Sequence, residues 1–300
     1  MLRIGLVGCD TSHAVAFTQR LNRVGIDERL WVEGGQVVAA VPGTSLVSPE
    51  RIPGFVEQLR GWGVAIVERP DELIGRVDAV MLTSADGGVH RELARPFLEA
   101  GLPLFVDKPF ACSLADARQI VADALAAGVA LTSASALRYC PEVRDVQRRA
   151  EEVGAIVGVD AYTPGPLHPR NPGLFHYGVH GVEMVYALMG TGCRSVRTVF
   201  EEGGEVVVGR WADGRLGTVR ATRRGSYALG FTCFGERAVV PAPVDSKRLY
   251  SDMLRVAVEM FQTGRWPLTA EELLEPVAFM EAALRSRERG GEEVALGAGD

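Results

Sequence analysis

The first half of the chain repeats one alternation. A short apolar or β-branched run is followed by a turn, then by a stretch with apolar residues every three or four positions. Short continuous apolar runs read as buried strands and the 3.6-residue spacing as helices, so this alternation predicts βαβ units around a parallel sheet. Strands are expected at 3–7, 36–41, 64–67, 79–82, 103–106 and 129–132, with helices at 12–24, 55–62, 71–74, 90–100 and 114–127. After about Ala134 the pattern changes. A helix at 142–153, a strand at 156–162 and a Pro/Gly-rich loop, TPGPLHPRNPG, lead into a helix at 175–189 about 22 Å long. Runs at 196–200, 205–211, 216–220, 228–234 and 238–240 then follow across short Gly-containing turns, and helices at 250–263 and 270–286 close the chain. Consecutive strands with short turns imply a mostly antiparallel sheet. The expected class is α/β, with an N-terminal doubly wound parallel sheet (1–133) and a C-terminal α+β domain (134–300).

Composition narrows the function classes. With 300 residues and 47% hydrophobic content there is material for a large core, which excludes intrinsic disorder. No apolar run approaches the roughly 18–20 residues that span a bilayer. The start, MLRIGLVG, lacks a cationic leader with a long apolar region, so a cytoplasmic protein without a signal peptide is expected. The five cysteines (9, 112, 140, 193 and 233) are odd in number and widely spaced, fitting neither a disulfide framework nor a CxxC metal site. A net charge of −6 without a long basic run gives no footprint for nucleic acid. Of 32 basic residues only Lys108 and Lys247 are lysine. A lysine in so arginine-rich a chain draws notice, because an ammonium can shift its pKa and exchange a proton where a guanidinium cannot.

The first strand–helix turn reads Gly8-Cys9-Asp10-Thr11-Ser12-His13. A GxGxxG dinucleotide fingerprint starting at Gly8 would have glycine at 10 and 13, where Asp10 and His13 stand. Asp10 would add bulk and like charge beside a pyrophosphate, whereas Thr11 and Ser12 offer hydroxyls at a helix N-terminus that favours an anion. Asp10 is also a candidate cap for that helix. The turn is either a phosphate site or structural. The second strand ends VPGTS without the acidic residue that selects a ribose 2′-hydroxyl, so either a 2′-phosphate is accepted, with Thr44, Ser45 and an arginine as candidate contacts, or the adenosine is held loosely, with a slight lean toward NADP over NAD. Lys108 follows the buried run Leu104-Phe105-Val106-Asp107, at the strand end where α/β sheets bind ligands. It is either a hydrogen-bond donor near a reacting oxygen or an ordinary lysine beside Asp107. His176, His180 and Glu183, spaced four and three apart, would share one helical face. They read as an acid/base histidine with a polar partner, as a metal-ligand set, or as a polar stripe.

These motifs resemble the glucose-fructose oxidoreductase / inositol dehydrogenase / rhizopine-catabolism (Gfo/Idh/MocA) family over essentially the whole chain. The resemblance rests on Asp78-Ala79-Val80 leading to Thr83 and His90, FLEAG before FVDKPF, and Arg138-Tyr139. It continues through GVHGVE before Ala187-Leu188-Met189-Gly190 to TGRWPLTAEE and Glu281-Ala282-Ala283. DKP stands where the family usually has EKP, and His176 where it often has aspartate. The resemblance implies a Rossmann domain joined to an open-faced sheet domain, homo-oligomers (dimer or tetramer) formed through that sheet, and NAD(P)-dependent redox chemistry on sugars or polyols. It places Lys108 near the nicotinamide and the substrate hydroxyl, and makes His180 the histidine that exchanges the alcohol proton. His176, where the family differs, is expected to orient His180 or relay protons to it. Expected cofactor contacts are Gly8, Asp10, Thr11, Ser12, His13, Thr44, Thr83, His90 and Lys108. Expected substrate contacts are Arg138, Tyr139, Tyr162 and Arg170, with His168 and Asn171 on a loop that could act as a lid. No metal is expected. Two rival readings keep the fold: a cofactor-binding regulator or scaffold without turnover, and an NAD-assisted glycosidase.

Overall fold

The computed structural model describes residues 1–246 and 249–297, which leaves Lys247 outside the described residues. The chain divides into two units. One comprises Met1–Ala111, Ala115–Ala134 and Tyr250–Thr269, the other Cys112–Leu114, Ser135–Leu249 and Ala270–Asp300.

Strands and helices alternate through the first part of the chain: β1 (Leu2–Val7), α1 (Ser12–Leu21), β2 (Gly35–Val41), α2 (Ile52–Gly61), β3 (Ala65–Ile66), β4 (Ala79–Leu82), α3 (His90–Glu99), β5 (Leu104–Val106), α4 (Leu114–Ala127) and β6 (Leu131–Ser133). The six strands form one parallel sheet in the order β3-β2-β1-β4-β5-β6. β4 and β5 are buried at every position, as a parallel sheet covered on both faces requires. α1 lays His13, Phe17 and Leu21, one turn apart, on its buried side. It stops at Leu21, short of the expected residue 24, because the Asn22 amide leaves the helix and bonds both the N–H (2.8 Å) and the carbonyl (2.9 Å) of Val37 in β2. The helix expected at 71–74 is a single 3-10 turn, Pro70–Leu73.

The second part carries α5 (Pro141–Arg148), α6 (Ala150–Val153), β7 (Ile156–Pro164), α7 (Val179–Met189), β8 (Cys193–Glu201), β9 (Gly204–Trp211), β10 (Leu216–Thr222), β11 (Gly230–Gly235) and β12 (Val239–Pro243). The helix expected at 142–153 breaks at Arg149, whose φ of −91° and ψ of 24° leave the helical range. α8 (Ser251–Thr263) returns to the first unit, where Ser251 Oγ donates to the Leu30 carbonyl at 2.7 Å and the Trp266 indole to the Val129 carbonyl at 3.1 Å. Residues 250–269 therefore pack with the first unit, a return that one cut in the sequence at 133/134 does not capture. α9 (Ala270–Glu288) and the short β13 (Val294–Ala295) complete the second unit.

Its seven strands run β12-β11-β7-β10-β9-β8-β13, with β7 and β10 parallel and the other neighbours antiparallel. α7 lies against one face, and Gly181 sets how close it comes. A Cβ there would meet Val219 at 2.8 Å and Thr163 at 3.2 Å. α9 covers β8 on the same side, with Thr198 Oγ1 donating to the Ala283 carbonyl at 2.8 Å. Strand alternation puts Asp160, Tyr162, Val199, Leu216, Thr218 and Arg220 on the opposite, open face.

Arg138, expected to contact substrate, is instead an internal strut. Its Nε donates to Glu183 Oε2 at 2.7 Å, joining the 3-10 turn Ala136–Tyr139 to α7, and both side chains are buried. Burial pushes the Glu183 carboxyl up and the Arg138 charge opposes it. Removing one partner strands the other charge in the interior. Arg138→Met is expected to lower unfolding stability by about 3–5 kcal/mol in urea titrations, and Arg138→Met/Glu183→Met to recover part of that loss.

Candidate functional site

In the first unit the loops after β1, β2, β4 and β5 meet at the carboxyl ends of the parallel strands, where the strand order reverses between β1 and β4. Gly8 turns the chain out of β1 with φ +96°, and a Cβ there would lie 2.5 Å from the Ser84 nitrogen, so no other residue fits. Thr83, buried at the end of β4, donates Oγ1–H to the Gly8 carbonyl at 2.6 Å and fixes this crossing.

Asp10 is not the helix cap. Thr11 is, its side chain accepting from the His13 N–H at 3.4 Å. The Asp10 carboxylate is buried and faces sideways into the protein: Oδ2 accepts from Ser45 Oγ (2.6 Å) and Oδ1 from the Ala85 N–H (3.0 Å). The side chain is thereby turned toward donors on the neighbouring loops. The backbone N–H groups of Asp10, Thr11 and Ser12 meet no acceptor among the described residues, and the Ser12 side chain is exposed. A turn that only glycine can make, followed by uncommitted N–H groups at the start of a ten-residue helix, fits a dinucleotide phosphate. Cys9 beneath it is inert, its thiol pushed up to about 12 by burial and by the Asp10 charge.

Other expected cofactor contacts hold the loops together instead. His90 is fully buried, with Nε2 at 2.9 Å from the Ser84 carbonyl and Nδ1 at 3.2 Å from the Phe110 carbonyl. Both ring nitrogens lie against backbone carbonyls, one of which accepts the ring N–H, so the side chain is a strut between the β4 and β5 loops. Ser45 is occupied by Asp10 and by the N–H groups of Val47 and Ser48, whereas Thr44 is exposed. Lys108 follows β5 as expected, and its N–H donates to Asp107 Oδ1 at 2.8 Å. His13, expected to face cofactor, bonds Asp107 Oδ2 through Nδ1.

In the second unit His180 sits in the first turn of α7, buried, with Nδ1 at 2.7 Å from Ser135 Oγ. Ser135 lies 45 residues away, and no spacing in the chain points to it. His176 is not on this helix: α7 starts at Val179, and His176 belongs to the turn before it, its ring tilted against that of His168 (centroids 5.2 Å). The one-face geometry assumed for His176, His180 and Glu183 therefore fails. Tyr177 takes the neighbouring place, its ring edge-on to His180 at 4.9 Å, while Glu183 is committed to Arg138.

The remaining substrate candidates scatter. Tyr139 has its hydroxyl buried and pushed up to about 12, chiefly by burial, with the Arg144 guanidinium 5.6 Å from its ring. Tyr162 is on the sheet face opposite α7, because Ala161 and Thr163 face the helix. Arg170 is exposed, its N–H donating to His168 Nδ1 at 3.2 Å, and the buried Asn171 accepts from Cys112 Sγ at 3.1 Å. Among the described residues no group of three or more His, Cys, Asp or Glu could hold a metal ion, and no helix is long and apolar enough to cross a membrane.

Comparison with known proteins agrees with this layout. Residues 2–135 match the Gfo/Idh/MocA family model, described as an oxidoreductase family with an NAD-binding Rossmann fold. Inositol 2-dehydrogenase 1 of Saccharopolyspora erythraea is 40% identical over 90 residues, spanning 29% of this chain but only 26% of that protein. Among solved structures, a probable dehydrogenase from Thermotoga maritima superposes with TM-score 0.80 at 21% identity, covering 98% of this chain and 99% of the other. Myo-inositol dehydrogenase from Lactobacillus casei, solved with NAD(H) and myo-inositol, gives 0.80 at 16% identity, covering 100% and 98%. At such identities the likeness is one of fold, and it extends over both units. Residues 2–135 of this chain thus match the Gfo/Idh/MocA oxidoreductase family with its NAD-binding Rossmann fold.

Proposed function

We propose that the protein is an NAD(P)-dependent dehydrogenase acting on a CH–OH group of a polyol or sugar, inositols being the first candidates. The observation that carries this reading is Lys108 at the carboxyl end of β5, within a domain of an NAD-binding oxidoreductase family. The segment shared with an inositol 2-dehydrogenase and the fold shared with an inositol-bound enzyme support the substrate class.

The nicotinamide, when bound, supplies or accepts the hydride. The uncommitted N–H groups of 10–12 and the turn at Gly8 would hold its diphosphate, with Ser12 and Thr44 as further contacts. Lys108 donates a charge-assisted hydrogen bond to the substrate oxygen, which stabilises that oxygen as negative charge develops during oxidation. His180 exchanges the hydroxyl proton. As a base it accepts the proton at Nε2 while Nδ1–H is donated to Ser135 Oγ, so Ser135 holds the orientation of the ring. His176, away from the helix, is given no part in this exchange. Asp10 and His13, the two residues that favoured a silent cofactor binder, both point into hydrogen bonds within the domain, which supports the dehydrogenase reading over that one. The open face of the second sheet is the surface through which copies would associate.

Lys108→Ala and His180→Ala are each expected to lower kcat on an accepted inositol or sugar by at least about a hundredfold, followed by NAD(P)H absorbance. Wild-type rates in either variant reject the assigned roles. Ser135→Ala should cost less and move the pH–rate profile, since it loosens the imidazole without removing it. Fluorescence titration is expected to show NADPH binding at least as tightly as NADH, because no carboxylate ends β2, and a clear preference for NADH would refute this. Light scattering should give a dimer or tetramer, and a monomer would count against association through the open face.

A further inference from the structure

Position 13 is where a dinucleotide fingerprint has its third glycine, yet this chain buries a histidine there. The imidazole is enclosed on three sides. Its Nδ1 bonds Asp107, its face stacks on Phe17 with centroids 5.2 Å apart, and it meets Tyr250 edge-on at 5.0 Å. Phe17 in turn touches Phe105 of β5 (6.0 Å), and the Arg20 guanidinium lies 5.1 Å from the Tyr250 ring centroid. Tyr250 has φ +85°, a left-handed conformation that a tyrosine keeps only where its surroundings impose it. The strained residue is the one that carries α8 back against α1.

Asp107, 1% exposed, divides its two oxygens. Oδ2 takes His13, and Oδ1 takes the N–H of Lys108 at 2.8 Å. Burial pushes this carboxyl up, but His13, Lys108 and the Lys108 N–H together outweigh burial and hold it below the ordinary carboxylate range. The short aspartate stem keeps the carboxylate beside the N–H that follows it, while a glycine at 13 would leave the other oxygen without its present partner.

We infer that His13 and Asp107 are positioning residues for Lys108. The pair ties the first turn of α1, which carries the candidate phosphate site, to the backbone that presents the ammonium. The inference rests on the proposed function only for the part Lys108 plays in turnover. That the pair shapes the surroundings of Lys108 is a property of the protein alone.

Two lysines in 300 residues make this directly observable. Reductive ¹³C-methylation gives two lysine signals besides that of the α-amino group, and Lys247→Arg assigns them. In His13→Ala and in Asp107→Asn the Lys108 methyl signal is expected to shift and broaden while that of Lys247 stays. His13→Gln, which keeps a donor for Asp107, should move it less. The double variant should move it no further than one single variant does, because both remove the same contact. An unmoved Lys108 signal in variants with wild-type circular dichroism overturns the inference, as does an additive double variant. Titration with NADH distinguishes positioning from cofactor contact. The dissociation constant is expected to stay within about threefold of wild type while kcat falls at least about tenfold, the scale of a misplaced catalytic group. A weakened NADH affinity with Lys108 unmoved would make His13 a cofactor ligand and overturn the assignment. Intact turnover in Lys108→Ala would count against the proposed function alone, because the methyl signal reports the pair without turnover.

Discussion

A carboxylate withdrawn from water must find donors, and at the carboxyl ends of the first sheet two carboxylates are withdrawn together. Asp10 and Asp107 are each almost fully buried, and their four oxygens are satisfied from four places: Ser45 after β2, Ala85 after β4, His13 in α1 and the Lys108 N–H after β5. No single loop could satisfy both. The hydrogen bonds that solve this solvation problem also tie four loops together at the candidate site.

The second unit obeys the same rule with different groups. Glu183 and Arg138 cancel each other within the protein, and His180 is oriented by Ser135 on one side and by the Tyr177 ring edge on the other. Burial of α7 against its sheet, permitted by Gly181, makes these pairings obligatory. A polar group on a helix packed this closely has no water to turn to, so its partner must come from the chain.

The degraded glycine fingerprint thus becomes intelligible as a substitution of means. Glycine at 10 and 13 would leave backbone open to a phosphate by having no side chain at all. Here the side chains exist and are drawn aside, Asp10 toward Ser45 and Ala85, His13 toward Asp107. Gly8 alone remains indispensable, because Ser84 stands where its Cβ would be.

The sequence by itself determined the parallel and antiparallel halves, most strand and helix cores, and the place of Lys108 at the end of β5, because these follow from local periodicity and from what terminates a strand. The family resemblance of residues 2–135 was legible in short contiguous motifs for the same reason. Side-chain partnerships were not legible. Ser135 with His180 and Arg138 with Glu183 are each 45 residues apart, and His13 with Asp107 is 94 apart. Nor did helical spacing reveal that α7 begins after His176, or that residues 250–269 return to the first unit. Only tertiary structure decides these points, since burial determines which polar groups lose water and distant strands determine which donors are within reach to replace it.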